Sequence, residues 1–114
     1  MTGRVVEATK DTFHDLVTAP LVLVDVWGPS CQPCLALTPT VERLAAARPE
    51  LVVVKLEAPK ARRLCIELGV MGLPAFLLFR DGKEAARLTA ADLDAASLER
   101  WLDDTLDGRT GGGE

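Results

Sequence analysis

The sequence predicts an α/β domain built on a mixed β-sheet, and two patterns lead to this fold class. Two nearly continuous apolar runs, at 21–27 and 51–56, flank a segment of helical periodicity, which is typical of buried parallel strands in a right-handed βαβ unit. Downstream, Asp81 and Gly82 separate two strand-like runs, a pattern that favours an antiparallel hairpin. The 114 residues are enough for one hydrophobic core without disulfide or metal support. We therefore expect parallel strands first, a hairpin after them, and helices on both faces.

The spacing of apolar residues predicts the other elements of the first half. Residues 4–8 indicate a short edge strand, and 9–17 a short helix capped by Thr9. A longer helix is expected over 31–48, with an apolar face formed by Cys34, Leu37, Val41 and Leu44. Pro39 should kink this helix, because proline lacks a backbone N–H and crowds the preceding turn.

Two more helices are predicted in the second half. Residues 60–68 form a short helix that ends at Gly69, since glycine suits the left-handed cap position. Residues 94–106 form an amphipathic helix that buries Leu98, Trp101, Leu102 and Leu106. The Gly-rich residues 107–114 are expected to be a disordered tail, which leaves 1–106 as the folded domain.

Composition and charge argue against several classes of partner. The chain has 13 basic and 17 acidic residues, a net charge of −4, and no Lys/Arg stripe along one face. Nucleic-acid binding needs concentrated positive charge, so we expect no such partner. The N-terminal residues lack the apolar stretch of a secretory signal, and no apolar run is long enough to cross a membrane. We expect a cytoplasmic monomer without a membrane partner.

Cys31 and Cys34 are separated by two residues, at the point where a strand gives way to a helix. The pair could be a redox dithiol, half of a metal site or a structural disulfide. If Cys31 is the N-cap, its sulfur can accept a hydrogen bond from the backbone N–H of Cys34, and Pro33 suits the first helical turn. These amides and the helix dipole stabilise the thiolate, so the pKa of Cys31 should fall below its free value of about 8.5. We therefore expect Cys31 to be the nucleophile and the shielded Cys34 to resolve the mixed disulfide.

The two structural alternatives for the cysteine pair are less well supported. Structural zinc needs four ligands, and the only other candidates, Cys65 and His14, are not suitably spaced. An odd cysteine count of three also argues against a disulfide framework. We expect no metal and no cofactor other than the 31/34 disulfide, and we expect Cys65 to be a small core residue.

An ordered set of motifs adds to this interpretation, and each lies where one known family has it. The motifs are VDVW at 24–27, CQPC at 31–34, Pro39, Lys55, GVMGLP ending at Pro74, and RDG at 80–82. With them the sequence resembles the thioredoxin family over 4–106. The resemblance implies the thioredoxin fold, a central mixed sheet of about five strands flanked by about four helices. It also implies dithiol–disulfide exchange on protein disulfides.

The resemblance implies roles for individual residues beside the cysteines. Asp25 matches a buried carboxylate that takes the proton from Cys34, and a carboxyl in an apolar strand should have a raised pKa. Lys55 matches the lysine that neighbours this carboxylate and opposes part of the shift. Trp27 matches the tryptophan packed under the active-site loop. The Leu73–Pro74 bond matches a cis-proline whose neighbouring backbone pairs with a substrate strand.

Three residues of the expected substrate surface depart from the family pattern. Ser30 precedes Cys31 where a second tryptophan is usual, Gln32 accompanies Pro33 in place of glycine, and Ala90 stands where glycine is common. Ser30, Gln32 and Pro33 belong to the expected substrate-binding surface, so these departures should affect the choice of partner more than the chemistry.

The sequence thus predicts a protein-disulfide reductase that acts on protein disulfides, and the resemblance implies a thioredoxin reductase as its electron donor. No histidine lies between the cysteines to stabilise the thiolate further, which favours a reducing protein over an oxidase or isomerase. The alternative is a specialised module of the same fold that docks one dedicated partner.

Overall fold

A computed structural model describes residues 4–108, which form five strands, five α-helices and one 3₁₀ turn. In chain order the elements are β1 Arg4–Ala8, α1 Phe13–Leu16, β2 Leu21–Trp27, α2 Gln32–Ala36, α3 Thr38–Ala47, β3 Val52–Glu57, the 3₁₀ turn Ala58–Lys60, α4 Arg62–Leu68, β4 Ala75–Arg80, β5 Lys83–Thr89 and α5 Ala95–Leu106. None of the helices within this range is long and apolar enough to cross a lipid bilayer.

The strands form one sheet in the order β1-β3-β2-β4-β5. β1, β3 and β2 run parallel, whereas β4 lies antiparallel to both β2 and β5. The predicted βαβ unit is therefore confirmed. The predicted hairpin is confirmed too, because Asp81 and Gly82 take the positive φ angles of 52° and 84° that a tight turn between twisted strands favours.

Side chains from the two faces of the sheet form two separate cores. One face is covered by α1 and α4, and its core includes Phe13, Val24, Val54, Leu64 and Leu77. The other face is covered by α3 and α5, and its core includes Leu23, Val41, Val53, Phe76 and Leu98. β2 is buried on both sides, which explains why 21–27 lacks the alternation of a half-exposed strand.

The helix expected over 31–48 is divided in two, so the structure has one helix more than the four predicted. α2 ends at Ala36 and α3 begins at Thr38. Pro39 lies in the first turn of α3, where its missing N–H leaves no helical hydrogen bond broken. The apolar face was predicted correctly, and all four of its residues are buried, namely Cys34, Leu37, Val41 and Leu44.

Two predicted helix boundaries were wrong and one was right. α1 begins at Phe13 and not at Thr9, whose hydroxyl instead accepts from the backbone N–H groups of Asp11 and Thr12 in the preceding turn. α4 begins at Arg62 because Ala61 has a non-helical backbone. The end of α4 is as predicted, since Gly69 takes a left-handed conformation with φ of 72°.

The C-terminal helix follows the prediction closely. Leu98 and Leu102 are fully buried, whereas Trp101 and Leu106 are half-buried against the same core. Asp107 and Gly108 continue the last turn of α5, with their N–H groups bonded to carbonyls of the helix. The remainder of the tail expected to be disordered, 109–114, lies outside the described residues.

Candidate functional site

The cysteines lie at the edge of the sheet where β2 ends and β4 begins. Val26 of β2 pairs with Ala75 of β4, so the loop that follows Trp27 and the residues that precede Ala75 meet at this edge. The Leu73–Pro74 peptide bond there is cis. Contact between the two loops is close, since a Cβ added at Gly28 would lie 3.2 Å from Leu73 Cδ1. The sequence thus brings a C-x-x-C loop and an X-Pro loop together although they are 40 residues apart.

Cys31 and Cys34 form a disulfide across the first turn of α2, with their Cα atoms 5.2 Å apart. Cys31 is the N-cap, and its Sγ accepts a hydrogen bond of 3.2 Å from the backbone N–H of Cys34. The Cys31 N–H donates in turn to the carbonyl of Gly28 at 3.1 Å. Cys31 is partly exposed, whereas Cys34 is only 5% exposed. One sulfur is therefore open to a partner and the other is shielded.

Asp25 is a buried carboxylate on β2, the strand that leads to the cysteine loop. It lies two residues after Leu23, so its side chain points to the face that α3 and α5 cover. Only 4% of the residue is exposed. Desolvation by burial raises the pKa of Asp25 to about 6, although the charge of Lys55 opposes the rise and the charge of Glu7 adds to it. At neutral pH the group is therefore close to the point where it can take or release a proton.

Lys55 lies between two acidic residues across the sheet. Its register partners are Asp25 on β2 and Glu7 on β1, so all three side chains share one face. The Lys55 Nζ lies 4.9 Å from the centroid of the Trp27 ring, a cation–π distance. The indole N–H of Trp27 is buried without a hydrogen-bond partner among the described residues. Lys55 therefore contributes positive charge to Asp25 and a packing contact to Trp27.

A depression of about 280 Å³ lies beside the cis bond. Leu73, Pro74 and Ala90 line it together with Met71 and Thr89. Ser30 and Gln32 are exposed on the cysteine loop, and Pro33 between the cysteines is partly exposed. Leu73, Pro74 and Ala90 are thus brought together at one groove, while Ser30 and Gln32 stand at the surface beside Cys31.

Sequence reasoning missed two residues that contribute to this region. Glu7 faces Lys55 across β1 and β3, as described above. Arg87 on β5 donates to the carbonyls of Leu68 at 2.7 Å and Gly69 at 3.2 Å, which ties down the start of the loop that leads to Pro74. It also donates to both carboxylate oxygens of Glu84. A basic residue in a half-exposed strand gives no sign of such a contact before the fold is known.

The third cysteine and the histidine lie away from the disulfide. Cys65 is buried on α4, and burial raises the pKa of its thiol. His14 is exposed on α1. Within residues 4–108 there is no group of three or more His, Cys, Asp or Glu side chains that could hold a metal ion.

Comparison with known proteins agrees with this geometry. The sequence model of the thioredoxin family matches residues 4–104. A thioredoxin from Acetoanaerobium sticklandii is 41% identical over 99 residues, which are 84% of this chain and 94% of that protein.

Solved structures extend the similarity to the fold. The short form of thioredoxin f from spinach chloroplast superposes with a TM-score of 0.80 at 27% identity, covering 96% of both chains. A complex of ferredoxin:thioredoxin reductase with thioredoxin f2 contains a chain that matches with a TM-score of 0.80 at 25% identity, over 92% of this chain and 97% of that one. The predicted thioredoxin fold is confirmed, and the chain belongs to the thioredoxin family of thiol–disulfide oxidoreductases, with Cys31 and Cys34 as its dithiol pair.

Proposed function

We propose that the protein reduces disulfides of other proteins, with Cys31 as the attacking thiol and Cys34 as the resolving one. The observation that carries this assignment is the difference in exposure and hydrogen bonding between the two cysteines. Cys31 is the partly exposed residue whose sulfur accepts an amide hydrogen bond, and Cys34 is the buried one. A sulfur in the first position is both accessible and stabilised as a thiolate, which is the form that attacks disulfides.

The reaction takes two exchange steps. The Cys31 thiolate attacks one sulfur of the substrate disulfide, which forms a mixed disulfide and releases the other substrate sulfur as a thiolate. Cys34 then loses its proton, and its thiolate attacks the Cys31 sulfur. This step forms the 31/34 disulfide and releases the second substrate thiolate. The substrate gains two electrons and the dithiol loses two, so these two steps balance by themselves, and a separate electron donor must reduce the 31/34 disulfide before the next turnover.

We assign the proton transfer of the second step to Asp25. A carboxyl with a pKa of about 6 is mostly ionised at neutral pH and basic enough to accept a proton from an attacking thiol. Its side chain lies on the sheet face that α3 and α5 cover, on the strand that leads to the cysteine loop. Lys55 acts on this step through Asp25, because its positive charge keeps the buried carboxylate ionised.

The substrate surface in this proposal surrounds Cys31 on three sides. The backbone at Leu73 and Pro74 would pair with an extended substrate segment, Trp27 supports the loop from below, and Ser30, Gln32 and Pro33 form the exposed rim of the loop.

A reductase of the thioredoxin reductase class is the electron donor we propose. Support comes from the solved complex in which thioredoxin f2, a structural neighbour of this chain, is bound with ferredoxin:thioredoxin reductase.

The cytoplasm is the compartment we propose, since a reductase needs surroundings in which its dithiol is kept reduced. We also propose a monomer, because the buried Cys65 offers no ready intermolecular disulfide.

The direct test is insulin reduction driven by dithiothreitol. The proposal predicts precipitation of the insulin B chain well above the uncatalysed rate with the natural chain and with a Cys65→Ser control. It predicts none above that rate with Cys31→Ser. Insulin reduction by Cys31→Ser, or no reduction by the natural chain, would contradict the assignment of Cys31 as the attacking thiol.

The exposed Ser30 and Gln32 keep a second candidate open, a module of this family that serves one dedicated partner. A Cys34→Ser variant should accumulate mixed disulfides through Cys31, because the resolving thiol is gone. Many trapped proteins from a cell extract would favour the general reductase, and one trapped protein would favour the dedicated module.

A further inference from the structure

A cluster of cationic side chains lies on the face of the molecule covered by α1 and α4. A depression of about 250 Å³ between these helices is lined by four cations, Lys10, Lys60, Arg62 and Arg63, and by two carboxylates, Asp11 and Glu67, together with His14, Ala61 and Leu64. We call this surface the basic depression. Such a concentration of positive charge stands out in a chain whose net charge is −4.

The two guanidinium groups of the basic depression form no salt bridge within residues 4–108. Lys10 pairs with Asp11 at 3.3 Å and Lys60 pairs with Glu57 at 3.5 Å. Both lysines are exposed, and ion pairs at the surface contribute little to stability. Across residues 4–108, neither Arg62 nor Arg63 has a carboxylate partner. Two exposed arginines therefore remain available to an external anion.

An apolar groove of about 400 Å³ adjoins the basic depression. Its lining consists of Ala58, Pro59, Arg62, Cys65, Ile66, Val70 and Leu73. Arg62 lines both surfaces, so the two are continuous. Ile66 is 76% exposed, and together with its apolar neighbours in the groove it forms a contiguous apolar patch, which is typical of a contact surface.

The apolar groove also reaches the active-site loop. Leu73, at one end of the groove, is the residue against which Gly28 packs, and the Gly28 carbonyl holds the N–H of Cys31. One surface thus runs from the disulfide through Leu73 and Ile66 to Arg62 and Arg63. A protein whose disulfide lies at Cys31 could cover all of it with one adjacent segment.

We propose that this surface docks an acidic segment of the disulfide-bearing partner protein, with one apolar side chain in the groove and carboxylates on Arg62 and Arg63. Arginine favours carboxylates because its planar group can bind them in a bidentate manner. The apolar half of the surface favours a protein segment over a nucleic acid. The inference rests on the proposed disulfide exchange and adds the chemistry of the preferred partner.

Two synthetic peptides test this proposal with the full chain. Both carry the same disulfide and the same leucine, and the adjacent flank is Asp/Glu in one and Asn/Gln in the other. The quantity measured is the second-order rate constant for reduction by the reduced protein under single-turnover conditions. At low salt the acidic peptide should react about tenfold faster than the neutral one, and the advantage should shrink at 0.5 M salt, because steering between exposed charges is screened.

Surface variants then locate the effect. In an Arg62→Ser/Arg63→Ser double variant, the rate constant for the acidic peptide divided by that for the neutral peptide should fall to about one. The matched control Lys83→Ser, an exposed cation in the hairpin at the opposite end of the sheet, should keep the ratio. Ile66→Ser should slow the leucine-bearing acidic peptide but not a version with serine in place of that leucine.

The neutral peptide separates this inference from the proposed function. Reduction of both peptides at equal rates by the natural chain would contradict the proposed docking surface but would still support the proposed disulfide reduction. No reduction of either peptide would overturn both. A single-stranded DNA that competes as well as the unreactive linear acidic peptide would also overturn the choice of an acidic protein.

Discussion

Asp25 and Lys55 are register partners on adjacent parallel strands, yet the Lys55 ammonium lies 4.9 Å from the centroid of the Trp27 ring. One cation thus acts on both the buried carboxylate of β2 and the aromatic ring at the end of the same strand. Its effect on the carboxylate is incomplete, because desolvation still raises the pKa of Asp25 to about 6. Burial of this carboxylate should therefore destabilise the fold while it prepares a base for catalysis.

Replacement of Asp25 by asparagine should stabilise the oxidised protein at pH 8. Folding favours protonation of Asp25, because its pKa moves from 3.8 to about 6. The stabilisation that this protonation gives the folded state is therefore complete below about pH 4 and is lost as the pH rises through 6. The shift corresponds to roughly 3 kcal/mol. Urea unfolding at pH 8 should show a gain of that order for Asp25→Asn, and at pH 3.5 the two proteins should differ little. An equal gain at both values would contradict the raised pKa.

The same substitution should slow the second exchange step. With a mixed disulfide prepared between Cys31 and a chromophoric thiol, release of that thiol should rise with pH around a midpoint near 6, the pKa of Asp25. In Asp25→Asn this midpoint should disappear and the rate at pH 7 should fall by roughly a hundredfold, the lower range for general-base assistance. An unchanged profile would show that the proton of Cys34 leaves by another route.

The pKa of Asp25 should shift in opposite directions when its two charged neighbours, Lys55 and Glu7, are neutralised in turn. Lys55→Met removes the cation that lowers the pKa of Asp25, so the midpoint of the release profile should move to higher pH. Glu7→Gln removes an anion that raises it, so the midpoint should move to lower pH. NMR titration of the Asp25 carboxyl carbon should give the same two directions. Shifts of the same sign in both variants would rule out this electrostatic arrangement.

Arg87 should support the groove beside Pro74 without taking part in the chemistry. Arg87→Met removes the bonds to the carbonyls of Leu68 and Gly69, which should cost about 1–2 kcal/mol of stability. The KM for insulin should rise more than kcat falls, because the loop that presents Leu73 is less well held. Lys83→Ser on the same strand serves as the control. A fall in kcat with an unchanged KM would contradict the supporting role.

The parts of the fold that were predicted from sequence are those where burial or turn chemistry leaves a local pattern. β2 and β3 are buried on both faces and so appear as continuous apolar runs, and the hairpin needs positive φ angles that Asp81 and Gly82 tolerate. The position of Cys31 as N-cap also follows from local spacing. Each of these features depends on residues near one another in the chain.

The features that could not be predicted depend on contacts between distant segments. The proximity of Glu7 to Lys55 requires the register of β1 on β3, and nothing within the short segment 4–8 specifies that register. Arg87 reaches Leu68 and Gly69 only because β5 lies beside the end of α4. The division between α2 and α3 was expected as a kink at Pro39, but the geometry of Leu37, two residues earlier, decides where the first helix ends.

The most direct test of the account is the pH dependence of Cys31 alkylation in the reduced protein, measured with iodoacetamide and mass spectrometry in a Cys65→Ser background. The Cys34 amide that bonds to the Cys31 sulfur should stabilise the thiolate, so alkylation of Cys31 should follow a pKa well below the free-thiol value of about 8.5, with Cys34 protected until the protein is unfolded. If Cys31 titrates as an ordinary thiol, or if both cysteines react at the same rate in the folded protein, the proposed division of roles between them is wrong.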